Sequence, residues 1–393
     1  MDQEETEAQS DLDARDLYHD KLPVDEDQAP GDRWPEMVFL SQPPLTNSKP
    51  EPLDSLAEFA FEDEAGSGVT VYVHDSGINK NHEEFTQNPE GISVGKISVL
   101  EQKKSLFGKL FAGLFSGDRN GHGTCMASKV VGNKYGSAKS ADLKMVPMTK
   151  GWNTGFAIPE VLIGLDTIID DIQNVRKKMK RDSGDASFFP VINFSYSVGV
   201  NETEQENELN AWEAKIKELL DLDATIVISS GNAGRDHPDV HRYPALFAKT
   251  FPELIIVGAV DPEGEVPRWT NRGDLVEFWA PGTRYTLNRL KQYATNKGPQ
   301  KAQRDLKKDI QLKIECAAPG KNDATSYREG TSIAAATVSG LVAYAMSIDS
   351  SLLVKGKVRK NVKEWLSKRS YPRKSGQNPA VYNGALPELW CSE

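Results

Sequence analysis

The sequence predicts an α/β fold, a largely parallel central β-sheet with helices on both faces. Short runs of apolar, mostly β-branched residues bounded by turn residues read as strands buried on both sides. Stretches of helical length separate them, so strands and helices alternate along the chain. With 38% hydrophobic and 26% charged residues over 393 positions, there is material for one large core.

Along the chain, residues 1–34 read as an acidic disordered tail, rich in Asp and Glu and poor in large apolar residues. A Pro-rich linker follows, from Gln42-Pro43-Pro44 to Pro50-Glu51-Pro52. Residues 35–393 read as a single domain with insertions near 101–118 and 285–325. The predicted strands are Val71–His74, Leu143–Pro147, Val191–Phe194, Thr225–Ser229, Ile255–Val260 and Val276–Ala280. The predicted helices run from Pro159 to about Lys180, Gln205 to about Leu222, and Thr331 to about Ser347. In the first insertion Leu106, Phe107, Leu110, Phe111, Leu114 and Phe115 make one apolar stripe, expected to pack on the domain. In the second, Arg289, Lys291, Lys297, Lys301, Arg304, Lys307 and Lys308 suggest a solvated basic helix. An exosite for acidic substrates or for the acidic tail is the alternative there.

Chemistry enters with Gly330-Thr331-Ser332-Ile333-Ala334-Ala335-Ala336, which sets one serine hydroxyl at the start of an apolar helix. A serine hydroxyl is a weak nucleophile until a base takes its proton and a third group orients that base. Candidates for both lie upstream. Asp75 ends the strand-like Val71-Tyr72-Val73-His74 and is followed by Ser76-Gly77. His122 stands between glycines in Asn120-Gly121-His122-Gly123-Thr124, at a loop-to-helix junction. Strand ends and helix starts of an open α/β sheet gather in one crevice, so the three can meet. Asn232, in Ser230-Gly231-Asn232-Ala233-Gly234, carries an amide suited to an oxyanion, with the Ser332 backbone N–H at the helix start as the second donor.

The order Asp, His, Ser, with these surrounding residues, resembles the subtilisin-like serine proteases, the subtilases, over most of the chain from about residue 35. Further stretches carry the same resemblance: His82-Glu83-Glu84-Phe85, Tyr243-Pro244-Ala245, Val257-Gly258-Ala259-Val260, Asn271-Arg272-Gly273 and Ala280-Pro281-Gly282. The resemblance implies a subtilisin-like fold and a serine endopeptidase that works through an acyl-enzyme. Ser332 would be the nucleophile, His122 the general base and acid, and Asp75 the orienting carboxylate. Val191–Ser197 resembles a substrate-binding strand, which makes Ser195, Tyr196 and Ser197 the expected substrate contacts. A non-catalytic peptide-binding module on the same fold, or an esterase or peptide ligase using the same acyl-enzyme, are the alternatives.

Several positions depart from the family pattern. Tyr196 and Ser197 stand where a leucine and a glycine are common, so the primary specificity pocket is expected to differ. Ala336 and Thr337 replace the usual proline and histidine of the nucleophile's helix. Calcium sites vary among subtilases and no complete ligand set is visible, so no metal and no cofactor are expected. Protein or peptide substrates are the expected partners. The net charge of −10 argues against nucleic acid, and the longest apolar stretches are too short to span a bilayer. The start Met1-Asp2-Gln3-Glu4-Glu5 is unlike a secretory signal, which favours an intracellular protein, or a secreted one if the true N-terminus is missing. The short stretch before the catalytic region is expected to be too small for the N-terminal prodomain that the resemblance implies.

Three cysteines leave at least one unpaired. Cys125, one turn along from His122, is expected to fill space as a small buried thiol, and a bulky thiol reagent reaching it is expected to inactivate the protein.

Overall fold

The computed structural model describes residues 17–21, 35–42, 58–62, 65–86, 95–100, 117–148, 157–284 and 313–385. In chain order the main elements are β1 (Leu17–Lys21), α1 (Pro35–Ser41), β2 (Glu58–Glu62), β3 (Thr70–Asp75), α2 (Glu83–Thr86), β4 (Ile97–Val99), α3 (His122–Val131), β5 (Asp142–Pro147), α4 (Ile158–Ser183) and β6 (Val191–Phe194). They continue with α5 (Glu206–Asp221), β7 (Thr225–Ser229), β8 (Ile255–Val260), β9 (Phe278–Pro281), β10 (Ile314–Ala317), β11 (Thr325–Arg328), α6 (Thr331–Ile348) and α7 (Val358–Arg369).

Seven strands form the central sheet in the order β4-β5-β3-β6-β7-β8-β9. Every pairing in it is parallel. The sheet grows outward in both directions from β3, which creates a crevice at the carboxyl ends of β3 and β6. Strands β3, β6, β7 and β8 are buried throughout, as runs such as Thr70-Val71-Tyr72-Val73 and Ile255-Ile256-Val257 demand when helices cover both faces.

Two apolar layers flank the sheet. Val71 and Val73 of β3 point into the first, with Cys125, Met126 and Val130 of α3 and Ile333, Val338 and Leu341 of α6. Tyr72 points into the second, with Val161, Leu165, Ile168 and Ile172 of α4 and Trp212, Ile216 and Leu219 of α5. The spacing of those α4 residues is that of one helical stripe. Pro159 in its first turn and a left-handed Gly184 at its end mark its limits.

Helix α6 is long and apolar enough to cross a bilayer, but it is buried within the protein, where it is the core helix of the first layer.

The expected strands and helices occur, with the strand expected at Val276–Ala280 found as Phe278–Pro281. The short edge strand β4, the hairpin β10–β11 and helices α1, α2 and α7 come in addition. The tail expected to be disordered is corrected at one place, since β1 pairs antiparallel with β2, Tyr18 opposite Phe61. Backbone hydrogen bonds to an edge need no apolar stripe, so composition did not signal that strand. The apolar stripe 106–115 and the basic run 289–308 lie outside the described residues.

Cys125 is not a free thiol. It forms a disulfide with Cys316 on β10, 191 positions away, and both cysteines are fully buried. The expectation that a thiol reagent would report on it is therefore withdrawn. Cys391 lies outside the described residues.

Candidate functional site

Asp75 ends β3 on the face that carries α3 and α6, and it is fully buried. Its Oδ1 accepts from the Ser76 backbone N–H at 2.7 Å. His122 Nδ1 lies 2.9 Å from Oδ1 and 3.0 Å from Oδ2. An ionised carboxylate only accepts, so Nδ1 carries the proton and the neutral ring keeps its lone pair on Nε2. The base would thus be held in the tautomer that can receive a proton from a hydroxyl.

The loop before α3 is built to deliver that imidazole. Gly121 takes a left-handed conformation just before the helix, at φ 80°. A side chain at Gly123 would collide with the backbone carbonyl of Gly77, so glycine is needed for the close approach of the two loops. Asp118, buried, organises the turn. Its Oδ1 accepts from Ser76 Oγ at 2.8 Å and from the N–H groups of Asn120 and Gly121. Its Oδ2 accepts from the N–H and hydroxyl of Thr124 at 2.8 and 2.7 Å. Ser76 Oγ in turn accepts from the Gly123 N–H at 2.9 Å. One carboxylate therefore joins the loop after Asp75 to the helix start that bears His122. Sequence reasoning missed Asp118 by placing it at the edge of an insertion. The signal available was an acidic residue just before a helix start, where a carboxylate satisfies the free N–H groups.

Ser332 is the second residue of α6 and 9% exposed. Its Oγ donates to the Ser195 carbonyl at 2.8 Å, while Ser195 Oγ donates to the Ser332 carbonyl at 2.9 Å. A hydroxyl has one proton, so Ser332 has to give up this bond before it can donate to another acceptor. Below this pair, Asn193 Nδ2 donates to Ser195 Oγ at 2.9 Å, and Ser339 Oγ donates to Asn193 Oδ1 at 3.1 Å. The start of α6 is thereby fastened to the strand beside it.

Asn232 lies on the loop after β7, next to Ser332 through Thr331. Its Oδ1 accepts from the Thr331 N–H and hydroxyl, both at 2.9 Å. With the carbonyl end occupied, the NH2 end is the one left to donate, as an oxyanion would require. Thr331 Oγ1 also accepts from the Gly231 N–H at 3.1 Å. Asn271 supports the same loop from below, accepting at Oδ1 from the Ala233 N–H at 3.0 Å.

The expected substrate contacts fall on different faces. Ser195 faces Ser332, and Ser197 is half-buried beyond it. The side chain of Tyr196 is turned into the second apolar layer, 4% exposed, with its Oη 3.0 Å from His74 Nδ1. Alternation along an extended chain puts neighbours on opposite sides, and it removes the Tyr196 ring from the cleft. Among the described residues no group of three or more His, Cys, Asp or Glu side chains converges as a metal site would.

Residues 66–378 match the subtilase family. A subtilisin-like protease 2 of Trichophyton rubrum is 31% identical over 348 residues, covering 88% of this chain and 66% of the relative. One from Arthroderma benhamiae is 32% identical over 307 residues, covering 78% of this chain and 57% of the relative. The chain thus spans about three-fifths to two-thirds of the length of these relatives. A cold-adapted subtilisin-like serine proteinase has the same fold, with a TM-score of 0.60 at 21% identity over 90% of this chain and 98% of its own. The nisin leader peptidase of Lactococcus lactis superposes with a TM-score of 0.54 at 17% identity, over 80% of this chain and 85% of its own.

Proposed function

We propose, from the premise that the chain belongs to the subtilase family, that it is a serine endopeptidase acting on protein or peptide substrates through an acyl-enzyme. The observation that carries this reading is the hydrogen bonding of His122 Nδ1 to both oxygens of the buried Asp75.

In this reading His122 Nε2 takes the Ser332 proton as Oγ attacks the scissile carbonyl. Asp75 holds the ring and stabilises the imidazolium that forms. The carbonyl oxygen becomes an oxyanion, met by the Asn232 amide and by the Ser332 N–H at the start of α6, where the helix dipole favours negative charge. His122 then gives its proton to the leaving amine, and water reverses the sequence on the acyl-enzyme. Ser195, whose carbonyl holds the resting Ser332 hydroxyl, belongs to the segment along which a substrate strand would lie. No step needs a metal or an organic cofactor.

Labelling the purified protein with a fluorophosphonate probe tests this. Covalent labelling of wild type, lost in Ser332→Ala and in His122→Ala, is the expected result. A folded wild type that does not label would overturn the reading in favour of a peptide-binding module.

A further inference from the structure

The proton relay makes no use of His74 or Tyr196, yet both are enclosed directly beneath it. Strands β3 and β6 keep register from Val71 opposite Val191 to Val73 opposite Asn193. Beyond that point they part. His74 and Asp75 stay with β5, opposite Val146 and Pro147, while Phe194 stays with β7, opposite Ile228. The crevice opens where the ladder between the two strands ends.

Across that opening, His74 Nδ1 lies 3.0 Å from Tyr196 Oη. Phe194 and Tyr196 meet the imidazole edge-on, at 5.9 and 5.5 Å between ring centres. Gly164 of α4 supplies the notch that admits the ring, for a methyl group there would collide with Nε2. Burial keeps His74 neutral, pulling its pKa down to about 3, and pushes Tyr196 well above its usual range, with the charge of Asp75 adding to the effect. The hydrogen bond therefore persists unchanged across the ordinary working range of pH.

Each partner is one residue from the chemistry. His74 adjoins Asp75. Tyr196 adjoins Ser195, which exchanges two hydrogen bonds with Ser332. A continuous path thus runs from Asp75 through His74, Tyr196 and Ser195 to Ser332, on the side of the sheet away from the cleft for its middle part.

We propose that His74 and Tyr196 are a positioning pair that fixes the separation of Asp75 from Ser332 across the parting strands, so that His122, tethered to Asp75, meets the hydroxyl in line. This rests on the serine protease reading above. Small misplacements of reacting groups carry large rate penalties, so a pair that touches no substrate can still govern the rate.

The test is the kinetics of fluorophosphonate labelling of the full chain, with inactivation rate constant and probe affinity measured separately, beside the thermal midpoint. Tyr196→Phe removes only the hydroxyl and leaves His74 Nδ1 without its partner. Its inactivation rate constant is expected to fall about tenfold with probe affinity changed less than about twofold, and its midpoint to drop. In the double variant His74→Leu/Tyr196→Phe both polar partners are gone, so the midpoint is expected to recover while the rate stays low. The double variant also carries the test if Tyr196→Phe alone fails to fold. Recovery of rate together with the midpoint, or an unchanged rate in Tyr196→Phe, would reduce the pair to core packing and overturn the inference alone. An unlabelled wild type overturns the protease reading and this inference with it.

Discussion

The helices that carry His122 and Ser332 lie against each other on one face of the sheet and are held there by different means. Every residue of α6 except Ser347 is buried, and the run Ile333-Ala334-Ala335-Ala336 sits in the apolar layer with nothing to fasten but its own surface. A helix that is apolar all round finds its place by burial. Helix α3 is shorter and keeps three chemically distinct side chains inside: Cys125, Ser128 and Lys129. Cys125 is bonded to Cys316. Ser128 Oγ accepts from the Ala317 N–H at 3.2 Å. Lys129 Nζ lies 3.2 Å from Glu36 Oε1 of α1, with the lysine side chain fully buried and the glutamate 5% exposed. The helix of Ser332 is placed chiefly by buried area, with the hydroxyl links of Thr331, Ser332 and Ser339 at its start and middle, and the helix of His122 adds a disulfide and a buried ion pair to segments far away in sequence.

Breaking the links of α3 should therefore cost more than their number suggests. Burial pulls the pKa of Lys129 down, and Glu36 acts against that as its nearest counter-charge. Glu36→Gln removes the counter-charge and leaves a buried cation, a change expected to cost about 3–5 kcal/mol in urea unfolding. The double variant Glu36→Leu/Lys129→Met should recover most of that loss, since replacing a buried pair by apolar residues is often neutral. If Glu36→Gln unfolds at the wild-type midpoint, α1 is not a fastener of α3.

Cys316→Ser comes next. It opens a link that joins positions 191 apart, and a loss of about 2–4 kcal/mol is expected from that connectivity. Fluorophosphonate labelling of the folded fraction should stay within about twofold of wild type, because Ser128 and Lys129 still hold the helix. A labelling loss as deep as that of His122→Ala would instead make the disulfide part of the site's geometry.

The same contrast decides what could be seen in the sequence. Strand cores such as Val191–Phe194 and Thr225–Ser229 were legible to the residue, because continuous apolar runs have no other use in a sheet covered on both faces. The placing of Asp75 at a strand end, and of His122 and Ser332 at helix starts, was legible too, since each is marked locally by glycine. The links were not. Glu36 and Lys129 lie 93 positions apart and His74 and Tyr196 lie 122 apart, and no periodicity announces a pairing at that distance. The motif makes Tyr196 an expected substrate contact, and the alternation of an extended chain sets its side chain opposite to that of Ser195. Asp118 was lost because it borders a stretch read as an insertion.

A second buried base sharpens the comparison, for Lys129 has a counter-charge and His74 has only a hydroxyl. With its folded pKa near 3 and an unfolded value near 6.5, His74 is neutral in the folded protein while the unfolded chain takes up a proton as pH falls below about 6.5. Its contribution to stability is therefore whole above that pH and shrinks as pH falls toward 3. Between pH 7 and 5 the loss should approach about 2 kcal/mol. The urea midpoint of His74→Leu should fall less steeply than that of wild type across this range, and parallel curves would mean that the imidazole is not held neutral.

The smallest effect expected lies where the two helices touch. A methyl group at Gly340 of α6 would strike Ser137 Oγ and come within 2.9 Å of the Val130 carbonyl in the last turn of α3. Ser137 Oγ donates to the Thr337 carbonyl at 2.8 Å, so the collision also disturbs a bond between the helix and the loop that follows α3. Overpacking of this kind costs about 1–3 kcal/mol, and alanine returns up to about 1 kcal/mol through its higher helix propensity. Gly340→Ala is therefore expected to lower stability by about 1 kcal/mol in urea unfolding. The shift that relieves the clash has to come from α3 or from the loop after it, because α6 is enclosed on every side. Labelling of Ser332 should slow more in Gly340→Ala than in Cys316→Ser for that reason, although the stability loss is smaller. Equal labelling in both variants would mean that α3 has slack which its three links do not remove, and the division between a helix placed by burial and one placed by links would fail at the point where they meet.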